Sequence, residues 1–211
     1  MYLVATRSEG KLRELREIFA EFGLAMTDPA TLGLPETAAE DELEAFETFE
    51  ENALAKARYF FDLSGGVPTF GDDSGMCVDA LGGEPGVYSK RWSGNEKLDR
   101  EALDAANNAK LVRRMSEARA HNKEGFTDRG QYVSVAAFKD ATGEELRRGE
   151  VEGRVLEVPR GTGGFGYDPY FEAPALGGTY AESSIENTAK KSHRARAFRA
   201  LLSALRAQGR I

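Results

Sequence analysis

Cysteine is almost absent from this chain: Cys77 is the one copy in 211 residues, which leaves no intramolecular disulfide and no cysteine-rich zinc cluster. Its expected role is core filling. Histidine is nearly as scarce, with His121 in a polar stretch that reads as surface and His193 at the head of a helical pattern. Long apolar runs are missing too. None approaches the roughly 18 residues of a bilayer-crossing helix, and the first residues lack the basic and apolar regions of a signal peptide, so the expected location is cytoplasmic with no membrane partner. An excess of basic charge is also lacking. The net charge of −7 speaks against a general nucleic-acid binder, which needs a basic surface to displace counterions. A small phosphorylated ligand is compatible with it, since that needs only a local cluster of Lys and Arg. With 41% hydrophobic and 30% charged residues, no repeat, no low-complexity block and no clear linker, residues 1–211 read as one globular domain.

The chain opens with a short buried strand over Tyr2 to Ala5, followed by Leu12, Leu15, Ile18, Phe19 and Phe22 at helical spacing. Strand, polar turn and helix together indicate an α/β protein. The turn, Thr6-Arg7-Ser8-Glu9-Gly10-Lys11, sets hydroxyls, free N–H groups and a lysine at a helix start, where anions bind. It is not a Walker loop, and Thr and Ser in such a place are also ordinary caps. From Asp28 to Glu47 the chain is acidic and irregular, with Glu36, Glu40, Asp41, Glu42, Glu44 and Glu47 mostly expected at the solvated surface. Thr48 then reads as an N-cap with Glu51 at the capping-box position. In the helix that follows, Asn52 and Lys56 are four residues apart and share a face.

Gly65-Gly66 ends that helix, and an apolar strand over Val67 to Phe70 runs into Gly71-Asp72-Asp73-Ser74-Gly75. Two adjacent acids at a strand end suggest a hard divalent ion such as Mg²⁺, usually held by one or two carboxylates together with phosphate oxygens. The plain alternative is a polar turn. Met76 to Leu81 is a second strand candidate, after which Gly82 to Gly86 forces a loop into Tyr88-Ser89-Lys90-Arg91-Trp92-Ser93-Gly94, where cations flank an aromatic. A long helix is predicted from about Leu98 to Ala120, with Leu98, Ala102, Ala105, Ala109, Val112 and Met115 inward and no evident function. Tyr132 to Lys139 alternates as a strand, Asp140 to Gly143 reads as a hairpin turn, and Leu146 to Val158 as a strand polar enough for an edge or a solvated face. A second glycine-rich stretch, Arg160 to Pro169, carries Phe165, Tyr167 and Asp168 on a backbone that can approach a ligand closely. Aromatics there can stack on a base, and Asp168 can accept from base or sugar donors.

Taken together and in order, these segments resemble the inosine triphosphate pyrophosphatase family. The carriers are Ala5-Thr6 through Gly10-Lys11, Thr48-Phe49-Glu50-Glu51-Asn52-Ala53 with Lys56, Asp72-Asp73-Ser74-Gly75, Leu81 through Ser89, Gly163-Gly164-Phe165-Gly166-Tyr167-Asp168-Pro169, and Ser192-His193-Arg194. They span the whole chain, and six weak motifs in one order make a strong signal. The resemblance implies an elongated two-lobed α/β fold, with a long mixed sheet flanked by helices and a substrate cleft between the lobes. It further implies a Mg²⁺ requirement, a homodimer, and hydrolysis of inosine and xanthosine triphosphates and their deoxy forms to the monophosphate and pyrophosphate.

On that resemblance Asp73 is the catalytic carboxylate and, with Glu44, a metal ligand; Glu42 and Glu36 are the fallback acids. Two carboxylates side by side are expected to hold one pKa high unless a cation neutralises them, a role given to Mg²⁺. Thr6, Arg7, Ser8, Glu9, Gly10, Lys11, Lys56, Ser74 and Arg91 are assigned to the triphosphate. Phe165, Gly166, Tyr167 and Asp168 form the base wall, and His193 with Arg194 reads the purine. Donors such as Arg194 would accept the oxo group at the six position of inosine and xanthosine and reject the amino group of adenine. Guanine must be excluded at its two position. The chain departs from the family's Thr-Gly-Asn first turn at Arg7 and Ser8. It also has Thr188 where the family places a base-contacting lysine, with Lys190 and Lys191 nearby. Two other readings are a pyrophosphatase for pyrimidine or modified nucleotides and a nucleotide-binding protein without turnover.

Overall fold

The computed structural model describes residues 1–94 and 98–211, with the side chain of Asp41 outside the described set. Strands β1 (Tyr2–Val4), β2 (Met26–Thr27), β3 (Thr69–Val78), β4 (Arg129–Asp140), β5 (Gly143–Val155), β6 (Phe171–Ala173) and β7 (Gly178–Thr179) form one mixed sheet in the order β2-β1-β3-β4-β5-β6-β7. Strand β1 runs parallel to both neighbours, pairing Leu3 with Thr69 and Val4 with Phe70 on β3, whereas β5, β6 and β7 pair antiparallel. The helices are α1 (Glu9–Glu21), α2 (Ala39–Glu42), α3 (Phe49–Leu63), α4 (Arg100–His121), α5 (Ile185–Lys191) and α6 (His193–Ala207). The α/β class with a mixed sheet is therefore as expected. No helix among the described residues is long and apolar enough to cross a membrane.

The chain divides into two compact units. The first comprises Met1–Ser74, Ser134–Glu150 and Ala189–Ile211. Its core brings Leu12, Leu15, Ile18 and Phe19 of α1 against Phe70, Phe138 and Phe198, Leu201 and Leu202 of α6. Phe70 is the centre, edge-on to Phe19 at 5.1 Å and 4.6 Å from Phe138, distances at which aromatic pairs attract beyond their buried area. The second unit comprises Gly75–Val133 and Val151–Thr188. Its core gathers Met76, Val78, Leu111, Met115, Tyr132, Phe171 and Tyr180, with Tyr132 packed 4.6 Å from Phe171 and 4.8 Å from Tyr180.

Local signals place the elements well. Thr48 caps α3 by accepting the N–H of Glu51, although Glu51 returns to the Thr48 hydroxyl rather than to its backbone, so only half of a capping box forms. Asp140 closes the β4–β5 hairpin by accepting from the backbone of Thr142 and Gly143. Three expectations need correction. The two strands read on either side of the acids are one continuous strand, β3, so Asp72 and Asp73 lie inside it rather than at its end or in a turn, and residues 79–81 form a 3₁₀ turn. The inward face of α4 is Asn107, Leu111 and Met115; Leu98, Ala105 and Ala109 are exposed. Cys77 is half-buried rather than core.

Candidate active site

Alternation along a strand sends consecutive side chains to opposite faces, and this separates the two acids of β3. Asp72, fully enclosed, meets Lys11 at 2.7 Å and Arg194 at 3.2 Å and accepts from the hydroxyl of Ser134 at 2.7 Å. Burial alone would push its carboxyl up, but the charges of Lys11 and Arg194 override that and hold it far below the usual carboxylate range. The neutralising charge expected from a metal thus comes, for Asp72, from the protein's own cations.

Asp73 faces α3. One of its oxygens lies 2.9 Å from Lys56 Nζ and the other accepts from Asn52 Nδ2 at 2.9 Å. The helical spacing of Asn52 and Lys56 delivers both to the same carboxylate. This contact needs α3 close to the strand. A Cβ on Gly71 would lie 2.2 Å from the carbonyl oxygen of Ala53, which explains the glycine beside the acids. Lys56 also meets Glu44 Oε1 at 2.8 Å, so Glu44 and Asp73 converge on one ammonium. Burial would lower the pKa of Lys56, yet the two acids raise it above its ordinary value. The fallback acids Glu36 and Glu42 are exposed. Asp41, read as a solvated acid, lies outside the described side chains.

The first turn divides its labour. Ser8 occupies the N-cap position of α1 without capping it, and its Oγ is buried with no hydrogen-bond partner, while Thr6 Oγ1 accepts the N–H of Ser8 at 3.2 Å. Gly10 and Lys11 lie in the opening turn of α1, and Glu9 points outward, 3.8 Å from Arg16. Arg7 reaches the acidic loop. Its guanidinium grips Glu40 with two bonds of 2.8 and 2.7 Å and donates to the carbonyls of Leu34 and Pro35, tying the turn to the acidic loop.

His193 and Arg194 open α6 behind the cap Ser192, whose Oγ accepts the N–H of Ala195. Arg194 is buried with every nitrogen engaged: Asp72 at 3.2 Å, Ser74 Oγ at 2.9 Å and Glu14 at 2.5 Å. It organises the acids rather than presenting a donor outward. Burial, reinforced by the charge of Arg194, holds the His193 imidazole well below its ordinary value, so it is neutral near pH 7.

In the second unit Phe165, Gly166, Tyr167 and Asp168 form one turn. Asp168 is buried and closes that turn, accepting from the N–H of Phe165 at 2.8 Å and from the Tyr132 hydroxyl at 3.1 Å. Gly164 beside it has φ +72, and a Cβ there would strike Asp168 Oδ2. The Tyr167 hydroxyl donates to the carbonyl of Ser89 at 2.8 Å. Burial and the nearby Asp104 carboxylate raise its pKa. Arg91 lies over the ring of Tyr88 at 5.2 Å. The described geometry thus gathers Thr6, Ser8, Lys11, Glu44, Lys56, Asp73, Ser74, His193 and Arg194 in the first unit, and Arg91 and the base wall in the second.

Sequence reading missed Glu14, Ser134, Asp104, Asn107 and Asn108, and gave Asn52 no role. For Asn52 the spacing to Lys56 was the available signal. Glu14 stands in the charged run Arg13 to Glu17 and Ser134 between two valines, and both reveal themselves only through partners far along the chain.

The metal called for by the sequence has a plausible seat in donor chemistry. Glu44 and Asp73 supply hard carboxylate oxygens that already converge on a cation. No three His, Cys, Asp or Glu side chains among the described residues form a group that could hold a metal ion.

Comparison with known proteins agrees with this picture. The family model described as "Ham1 family" matches residues 2–204. A dITP/XTP pyrophosphatase of Ralstonia nicotianae is 42% identical over 208 residues, covering 97% of this chain and 96% of the relative, and one of Symbiobacterium thermophilum is 45% identical over 197 residues, covering 93% and 90%. A solved HAM1 protein from Coxiella burnetii superposes with a TM-score of 0.79 at 28% identity, covering 98% of each chain. The motif resemblance is thereby borne out, and the chain belongs to the Ham1 family.

Proposed function

We propose that this protein is a Mg²⁺-dependent nucleoside triphosphate pyrophosphohydrolase that converts dITP, ITP and XTP to the monophosphate and pyrophosphate, clearing non-canonical purines from the nucleotide pool. The observation that carries the reading is the convergence of Glu44 and Asp73 on Lys56, on a strand whose other acid, Asp72, is already neutralised. Relatives at about this level of identity bear the name dITP/XTP pyrophosphatase.

In this reading Asp73 accepts a proton from the attacking water. The water oxygen bonds to a phosphorus of the α–β anhydride, the bridging P–O bond breaks, and pyrophosphate separates from the nucleoside monophosphate. In the first unit Lys11 and Lys56, with the Thr6 and Ser8 hydroxyls and Ser74, hold the phosphates, and the orphan Ser8 hydroxyl is a donor awaiting such a partner. Glu44 and Asp73 are the residues that would hold Mg²⁺, which would supply positive charge against the phosphate oxygens when bound. Phe165 offers an aromatic face to the base. His193 and Arg194, side by side at the head of α6, are the pair assigned to reading the purine. A cytoplasmic, homodimeric enzyme is the corresponding cellular form.

The test is the product. Incubation with dITP and Mg²⁺ is expected to release pyrophosphate, with no turnover in chelator or in Asp73→Asn. Orthophosphate as the first product, or equal turnover without a divalent ion, would reject the reaction or the metal requirement respectively.

A further inference from the structure

Helix α4 carries no catalytic signature, yet its polar residues reach both turns that the proposed function uses in the second unit. Asn107 is buried. Its Oδ1 accepts the N–H of Ser93 at 2.7 Å, and its Nδ2 donates to the carbonyls of Lys90 at 2.9 Å and Ser89 at 3.3 Å. All three bonds go to the turn that bears Lys90 and Arg91.

The next residue serves the other turn. Asn108 Nδ2 donates to the carbonyl of Gly166 at 3.0 Å, and Asp104, one helical turn earlier, accepts the N–H of the same glycine at 3.0 Å. One turn earlier again, the Arg100 guanidinium lies 5.4 Å over the ring of Phe165. Spacing of four residues puts Arg100, Asp104 and Asn108 on one face. Both backbone polar groups of Gly166 are thus held by a single rigid element, and the Tyr167–Ser89 bond joins the two turns directly.

We propose that Asn107 and Asn108 are positioning residues that hold the cation-bearing turn 89–93 and the base wall at Phe165–Gly166 at one fixed separation, and so set which nucleotides fit. This rests on the function proposed above. Asp168 closes the wall's own turn, but both backbone groups of Gly166, which has positive φ, are bonded only to side chains of α4 in the bonds described above. A helix is a better ruler than a loop, and two adjacent amides on α4 pass its rigidity to both turns.

Two variants of the full chain test this. Asn108→Ala removes one hydrogen bond, and Asn107→Asp keeps the acceptor for Ser93 while turning both donated bonds into repulsion. Each is assayed with dITP, XTP and dGTP under saturating Mg²⁺, and hydrogen exchange is followed over residues 89–93 and 163–168. Asn108→Ala is expected to speed exchange around Gly166, raise KM for dITP about tenfold with kcat within about twofold, and narrow the preference for dITP over dGTP. Asn107→Asp is expected to speed exchange over residues 89–91, where the two donated bonds are lost, and raise KM for all three nucleotides alike. Unchanged exchange, or faster exchange with KM and preference within about twofold of the unaltered chain, overturns the proposal, as does a loss of kcat at constant KM. An unaltered chain that cleaves none of the three rejects the proposed function itself and this inference with it, and that result is recognised before any variant is compared.

Discussion

The ammonium of Lys11 sits 2.7 Å from the Asp72 carboxylate, which has no exposure to solvent. With Arg194 on the other side, Asp72 is the hinge of a buried ionic chain that continues through Arg194 to Glu14 and, by a short hydrogen bond, to Ser192. Its part is to fix Lys11 and the start of α6, whereas Asp73 on the opposite face is held by Lys56 and Asn52.

Asp72→Asn is therefore expected to act on stability first. Removing one partner of a buried ion pair leaves the others uncompensated and costs about 3–5 kcal/mol. Urea unfolding of the variant would read this directly, and a loss below about 1 kcal/mol, the level of an exposed pair, would refute the structural role.

Lys56 stands between two acids, so Lys56→Met places two carboxylates together without their shared cation. A lower melting temperature without metal is expected. Mg²⁺ binds the folded form and should raise the melting temperature more in this variant than in the unaltered chain, because the ion no longer competes with an ammonium. Thermal unfolding with and without Mg²⁺ checks it; an equal shift in both proteins would count against Glu44 and Asp73 as the metal seat.

The neutral, buried His193 predicts a pH dependence. Its folded pKa lies below the ordinary histidine value, so between that folded value and about pH 6.5 the unfolded chain binds a proton that the folded chain does not. Stability should fall as pH drops below about 6.5, by up to about 1.4 kcal/mol per pH unit. The groups acting on it are Arg194, Asp72 and Lys11. Urea titrations from pH 7.5 to 5.5 should show this slope, and His193→Gln should lack it. On the acid side Asp140 works in the same direction. Burial would raise its pKa, but Arg210 and Thr142 hold it low, so its contribution is present above about pH 4 and is lost on further acidification.

Gly71→Ala tests the close approach of α3. The added carbon meets backbone at 2.2 Å, which side-chain rotation cannot relieve. A cost of about 1–3 kcal/mol or more is expected from overpacking, together with reduced kcat, because Asn52 and Lys56 move away from Asp73. Full activity in this variant would show that the strand–helix spacing is not what positions that acid.

Much of the fold was legible where the signal is local. The cap at Thr48, the Asp140 hairpin turn and the start of α6 at Ser192 each depend on neighbours within a few residues, and the structure keeps all three. The continuity of β3 was not, because Gly-Asp-Asp-Ser-Gly has the composition of a turn, and only Lys11, Lys56 and Arg194, far away in sequence, make it tolerable inside a sheet. The inward face of α4 was misjudged for a similar reason: apolar periodicity ranks alanines above Asn107, while the buried asparagine is satisfied by backbone groups of a distant turn. The partners of Arg7 and Arg194 were not legible, since a sequence shows a charge but not the carboxylate that meets it.

The ion pairs of the first unit also leave a charge imbalance. Lys11, Lys56 and Arg194 contribute three positive charges where Glu14, Glu44, Asp72 and Asp73 contribute four negative ones. The cluster thus carries one uncompensated negative charge. On the proposed function, that excess is expected to weaken the binding of nucleotide stripped of its divalent counter-ion and to favour the nucleotide that arrives with it.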